Sequence, residues 1–140
     1  MSDDCVFCKI IKKEIPAVCI YEDEHTFAFL DIQPINKGHT LVIPKVHHES
    51  LYDIPEEALI QCIKTVKRVG KGIKDAIRCD GLNIGMNNGR PAGQIVFHAH
   101  FHVIPRFLGD GLTHWPGKKM DAGQMGILGR EIKDSVQKVK

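Results

Sequence analysis

The chain has 140 residues, 43% of them apolar, and a formal net charge of +2, which suits one globular domain with a substantial core. That charge is too near balance to indicate nucleic acid as a partner, and no apolar run is long enough for a membrane helix. The opening "MSDDCVFCKI" is unlike a secretory leader, so a cytoplasmic location with reduced thiols is expected; five cysteines, an odd number, do not read as a disulfide framework.

In chain order, "FCKIIKKE" reads as a short first helix whose Lys9, Lys12 and Lys13 form a solvated face. "AVCIYED" and "HTFAFLD" read as two strands with a turn at Asp23–Glu24. "QPINKG" is a loop punctuated by Pro34 and Gly38. "HTLVIPK" is a strand rich in β-branched residues, and Pro44 places its end there or puts it at a sheet edge. The clearest helix spans about Ile54 to Ile77, where Leu59, Cys62, Ile63, Val66, Val69, Ile73, Ala76 and Ile77 keep the helical period. Asp53 with Glu56 resembles a capping box at its start. "GLNIGMN" is a strand and "NGRPAG" a glycine-rich loop. "GDGLTHWPGKK" is irregular. From Ala122 to Val139 a second apolar stripe (Met125, Leu128, Ile132, Val136, Val139) indicates a C-terminal helix, with three glycines weakening its first turns. The expected architecture is one α+β domain over residues 1–140, a largely antiparallel sheet with helices against it.

The chemistry concentrates in "QIVFHAHFHVIPR", Gln94 to Arg106, where His98, His100 and His102 alternate with Ala99 and Phe101. In a strand these histidines share one face, and Ala99, Phe101 and Val103 take the core face. Three uses of such a row compete. A polar strand face with accidental histidines fits one imidazole better than three. A metal site can use adjacent members, but the outer two lie about 13 Å apart at ~3.3 Å per residue, too far to converge without a bulge. A division of labour assigns one histidine to structure, one to nucleophilic attack and one to proton donation, since neutral imidazole attacks phosphorus or carbonyl carbon. The loop "NNGRPAG" running into Gln94 favours phosphorus, because backbone N–H groups and amides there can cradle phosphate oxygens.

"QIVFHAHFHVIP" resembles the signature of the histidine triad (HIT) family of nucleotide-binding proteins: three histidines spaced by single apolar residues and followed by two more. "CVFCKIIKKEIPA", "AFLDIQPINKGHTLVIPKVHH" and "GLNIGMNNGRPAGQ" are similar to other blocks of that family. The resemblance implies a HIT-like α+β fold with a long helix and a C-terminal helix, and a homodimer. It also implies hydrolysis or transfer at the α-phosphate of purine nucleotides, from phosphoramidates or dinucleoside polyphosphates, with no organic cofactor. It casts His100 as the nucleophile that forms a nucleotidyl-histidine and His102 as its supporting donor. His39 is a fourth histidine beside them. Gln94 and Asn87 hold phosphate oxygens, with backbone donors from Gly93 and Ile95. Asp31 matches a carboxylate that grips both ribose hydroxyls, which suits an acceptor-only group. Val6, Phe7, Ile10, Phe29, Ile32 and Leu41 resemble a base pocket; ordinary core packing competes for each. Ile95 departs from the pattern, since many members carry a small hydroxyl residue there.

Cys5 and Cys8 have metal-ligand spacing. A lone C-x-x-C is half a site and is also compatible with a redox pair or two inert thiols. The resemblance to one branch of the family completes it as structural zinc held by Cys5, Cys8, His47 and His98, with His48 a rival for His47. Arg106 is a further neighbour for phosphate, and Trp115 in "THWPG" either shapes substrate choice or covers the core. Two other functions compete with the hydrolase: a non-catalytic nucleotide-binding regulatory or scaffold protein, kept open by Ile95, and a zinc module for nucleic acid, opposed by the lack of a basic, aromatic-interleaved patch.

Overall fold

The computed structural model describes residues 3–140, which fall into two compact units, one up to Asp110 and one from Gly111 to Lys140. In the first, a helix α1 (Val6–Ile11) precedes strands β1 (Cys19–Glu22), β2 (Thr26–Leu30) and β3 (Thr40–Pro44). Then come the long helix α2 (Glu56–Ile77), β4 (Gly81–Gly85), a 3-10 turn at Arg90–Ala92 and β5 (Phe101–Arg106). The strands form one antiparallel sheet in the order β1-β2-β3-β5-β4, and the α+β expectation holds. No helix among the described residues is long and apolar enough to cross a membrane.

Register explains both faces of the sheet. Ala28, Val42 and Phe101 are paired in one row and pack with Val103 and Ala99 against Cys62, Val66, Val69 and Ile73 of α2. These helix positions follow the 3.6-residue period. Gly70 lets the helix approach β4, because a Cβ there would meet Leu82 at 3.2 Å. The neighbouring row, Phe29, Leu41 and His102, faces the other way. There Phe7 and Ile10 of α1 join Phe27, Phe29, Leu41 and Ile43 in a second apolar cluster. His102 is therefore built into the sheet face that α1 covers.

Of the two readings of Pro44 the first holds: β3 ends there and lies in the middle of the sheet. Two local expectations are corrected. Asp53 makes no capping box. Its carboxylate accepts from the Glu49 and Ser50 amides at 3.0 and 2.8 Å, and α2 starts after Pro55, which offers no side-chain cap. The segment around the triad is not one strand either: β5 begins only at Phe101. The Ala99 amide donates to the His48 carbonyl at 2.6 Å instead of continuing a ladder; His98 sits in a bend, His100 in irregular backbone, and only His102 lies in a strand.

In the second unit, α3 (Ala122–Lys138) starts at Asp121, whose carboxylate accepts from the Gln124 amide at 3.1 Å. Its apolar stripe, Met125, Leu128, Ile132 and Val136, is exposed, as is Trp115.

Candidate active site and metal centre

Two histidine clusters lie at opposite ends of β3, which His39 precedes and His47 follows, and the hydrogen bonds at each ring nitrogen tell them apart. Cys5 and Cys8 come from the first turn of α1, where the Cys5 sulfur accepts from the Cys8 amide. His47 follows β3, and His98 lies in the bend before β5. The Cys5 Sγ is 3.4 Å from His98 Nδ1. The Cys8 Sγ is 3.6 Å from His98 Nδ1 and 3.4 Å from His47 Nδ1. All four ligand atoms lie within 4.8 Å of one another. A tetrahedral zinc with Zn–S of ~2.3 Å and Zn–N of ~2.05 Å has sulfur-to-nitrogen edges of about 3.6 Å, so the donor set and its spacing fit such an ion. His98 Nε2 donates to the Pro44 carbonyl at 2.8 Å, which leaves Nδ1 bare and aimed at the sulfurs, the arrangement a ligand histidine needs. Burial pushes the His98 imidazole down to about 4 and raises the Cys5 thiol. The rivalry at positions 47 and 48 resolves geometrically: His47 joins the cluster, and the His48 backbone carbonyl anchors Ala99.

Asp31, His39 and His102 form the second cluster. The Ile35 amide donates to His39 Nδ1 at 3.0 Å. That bond requires the His39 proton on Nε2, which lies 2.9 Å from His102 Nδ1 and 3.7 Å from Asp31 Oδ2. His102 Nδ1 is then the acceptor, and its own proton sits on Nε2. A cation at His39 Nε2 would force that proton onto Nδ1, against the Ile35 N–H. The same residue types thus make a hydrogen-bond relay here rather than a metal site. Burial lowers the His39 imidazole, with His100 adding to this and Asp31 opposing it. Burial, then His100 and His39, push His102 down to about 4. Both rings are neutral near pH 7.

His100 lies between the clusters. Its Nδ1 donates to the His98 carbonyl at 2.7 Å, so Nε2 keeps its lone pair. The Phe7 ring meets it edge-on, with centroids 5.2 Å apart at 89°, and the His102 ring is 5.0 Å away at 61°. Burial also lowers the His100 imidazole. A bare ring nitrogen beside a second ring that carries a proton is a nucleophile beside a donor.

The other residues singled out in the sequence are placed less uniformly. Asp31 Oδ1 accepts from the Gln33 amide at 2.9 Å, and its side chain is partly open to solvent. Gln94 is only 2% exposed. Its Oε1 accepts from the Gly89 amide at 2.9 Å, and its Nε2 donates to the carbonyls of Glu49 (2.6 Å) and Val96 (3.2 Å). The carboxamide is therefore engaged in shaping the loop. Gly93 adopts φ +95, donates to the Arg90 carbonyl and accepts from Asn87 Nδ2 at 3.5 Å. The backbone from Gln94 to His100 belongs to no helix or strand. Phe7, Ile10, Phe29 and Leu41 are core; the Phe7 ring packs on His98 and His100, and Leu41 is the cross-strand partner of His102. Ile32 is 91% and Ile95 85% exposed. Arg106 is held by Asp110 through two bonds of 2.8 and 3.1 Å and by Asn83. Sequence reasoning missed Ile35 and the carbonyls of Pro44 and Glu49, because backbone groups that fix a tautomer or a carboxamide leave no mark on residue type.

A family model described as the HIT domain matches residues 12–109. The adenosine 5'-monophosphoramidase of Saccharomyces cerevisiae is 45% identical over 130 residues, covering 91% of this chain and 80% of that protein. A crystal structure from Streptococcus mutans superposes with a TM-score of 0.92 at 38% identity, over 97% of this chain and 87% of that one. A Zn-bound histidine triad family protein from Mycobacterium smegmatis gives 0.76 at 38% identity, over 98% of each chain. With its histidine row on the α1 face of an antiparallel sheet, this chain belongs to the HIT domain family.

Proposed function

We propose that the chain hydrolyses purine nucleotides at the α-phosphorus, with nucleoside phosphoramidates as the first substrate class and dinucleoside polyphosphates as the second. The observation that carries this reading is the wiring of the two rings, His100 Nε2 bare and His102 Nε2 protonated, 5.0 Å apart between centroids. The His100 Nε2 lone pair attacks phosphorus in line, the bond from phosphorus to the leaving nitrogen breaks, and that nitrogen leaves as the amine with a proton from solvent, while the His102 Nε2–H hydrogen-bonds to a phosphate oxygen and keeps its proton. Water then attacks the nucleotidyl-His100, gives its proton to solvent and frees His100 Nε2. The irregular backbone from Gly93 onward supplies N–H donors for the phosphate oxygens; Gln94 supports it by holding the loop. Asp31 accepts the ribose hydroxyls. The name of the yeast relative supports the choice of phosphoramidate.

A structural zinc held by Cys5, Cys8, His47 and His98 belongs to the same reading; when bound, it cross-links α1 to the segments after β3 and before β5. A homodimer is supported by the exposed Ile84 on edge strand β4 and Ile60 and Ile63 on α2; light scattering should give twice the 15.7 kDa chain mass. The deciding experiment compares an adenosine phosphoramidate with diadenosine polyphosphates on the intact protein and on His100→Asn. The variant should bind nucleotide and lose turnover by at least ~10³-fold. A His100→Asn chain that turns over normally removes the nucleophile and leaves the non-catalytic binding protein.

A further inference from the structure

Phe7 lies between Cys5 and Cys8 in the sequence, on a helix of only six residues. So short a helix has little stability of its own; its place is set by what its side chains grip. Two of these are the cluster sulfurs. The ring between them packs edge-on against His98 at 5.9 Å, His100 at 5.2 Å and Phe29 at 5.4 Å. His98, a member of the cluster, also supplies the carbonyl that takes the His100 Nδ1 proton. The peptide carrying that carbonyl lies outside any ladder. It is aimed by the His98 ring, fixed at Pro44 and at the sulfurs, and by the Ala99 amide on His48. His100 is thus gripped twice from one centre, at its face through Phe7 and at its Nδ1 through the His98 carbonyl.

We infer that the Cys5–Cys8–His47–His98 centre positions the nucleophile: through Phe7 and the His98 carbonyl it selects the ring plane and tautomer that leave His100 Nε2 free. Phe7 is then a positioning residue rather than a wall of the base pocket. This inference rests on the reading of His100 as nucleophile, and the experiment separates the two. Full-length protein labelled with ¹⁵N-histidine is prepared with its metal, after chelation, and after addition of Zn²⁺ alone. Long-range ¹H–¹⁵N spectra of the loaded protein should show a single His100 tautomer protonated at Nδ1. Chelated protein should show mixed tautomers, and Zn²⁺ should restore the single one.

Phe7→Leu serves where chelation unfolds the chain. It should keep the metal content of the parent and show mixed His100 tautomers. Its kcat should drop by roughly 10-fold or more while KM stays within about twofold, the signature of lost orientation without lost binding. A base-pocket role would move KM instead. One His100 tautomer and an unchanged kcat in both Phe7→Leu and metal-depleted folded protein overturn the inference, and a turnover-dead His100→Asn would then still stand for the nucleophile. A turnover-competent His100→Asn removes the nucleophile, whereas a metal-dependent tautomer would still uphold the coupling.

Discussion

The cysteine–histidine cluster, a candidate metal centre, and the relay cluster use the same chemical vocabulary, imidazole with a charged or ionisable partner, and are directed to different uses by single backbone groups. At His98 a carbonyl, that of Pro44, takes the Nε2 proton and frees Nδ1 for a cation. At His39 an amide, that of Ile35, occupies Nδ1 and keeps the proton on Nε2, facing another histidine. A carbonyl behind the ring leaves a bare lone pair on the opposite nitrogen, whereas an amide behind it makes the opposite nitrogen a donor. Counting ligand types within a radius does not separate the two; following each proton does.

The largest consequence of that contrast concerns stability. Removing the ion, or replacing Cys8 with serine, leaves buried thiol and imidazole groups without their common partner and unties α1 from two loops. Thermal melts should drop by about 10 °C, near ~3 kcal/mol for a unit of this size, and elemental analysis should fall from about one zinc per chain to none. Retention of the parent melting temperature by metal-free protein would erase the structural half of the comparison.

The relay should respond differently. His39→Ala removes the donor that holds His102 in the Nε2-protonated tautomer, and turnover should fall by about 10²-fold with the metal content unchanged. His39→Asn, whose side-chain amide can still donate, should recover part of the loss. A His39→Ala protein that loses zinc as well as activity would show that the two clusters are one unit.

This contrast was only partly legible in the sequence. The alternation of His98, Ala99, His100, Phe101 and His102 correctly sorts apolar from polar faces, since Ala99 and Phe101 do join the α2 core. The periodicity of α2 locates that core, and the C-x-x-C spacing marks half of the metal cluster. The irregular backbone at His98 and His100 was not legible, because it goes with one amide reaching a carbonyl 51 residues earlier, from Ala99 to His48. Pro44 illustrates the same limit: the residue type says that a ladder ends, and neither the position of β3 in the sheet nor the use of the Pro44 carbonyl by His98 follows from it. Gln94 reads in the sequence as a holder of phosphate oxygens, whereas its carboxamide turns to Gly89, Glu49 and Val96. Among the apolar positions assigned to the base, the structure separates a packed set (Phe7, Ile10, Phe29, Leu41) from an exposed Ile32, a distinction hydrophobicity alone cannot make.

Acid sharpens the comparison on the relay side. Burial holds His102 down at about 4 and lowers His39, whereas an unfolded histidine titrates near ~6.5. Below that value the unfolded chain takes up protons that the folded one refuses. The stability contributed by these two neutral rings is therefore fully present above about pH 6.5 and is lost as pH falls toward 4, by at most ~1.4 kcal/mol per histidine per pH unit. Urea midpoints measured between pH 7.5 and 4.5 should decline, and the decline should be shallower in a His39→Gln, His102→Gln double variant. An equal slope in both proteins would assign the acid sensitivity to the metal cluster, whose ligands also compete with protons.

The smallest effect is expected where neither cluster reaches. Ile95 stands beside the loop that Gln94 braces, and 85% of it is exposed, so its side chain contributes little to folding. Ile95→Ser should leave the melting temperature within about 1 °C and the zinc content unchanged. A serine hydroxyl adds a donor and acceptor at a position where the family resemblance implies a small hydroxyl residue, beside the loop proposed to hold the phosphate. One neutral hydrogen bond there is worth about 1 kcal/mol, so the change belongs in the ratio of phosphoramidate to dinucleoside polyphosphate turnover and should stay under roughly 10-fold. A shift in that ratio with unchanged stability would place the leaving group on the Ile95 side of His100, away from both clusters. An unchanged ratio would place it on the Asp31 and His39 side, and the relay would then contact the substrate at two points instead of one.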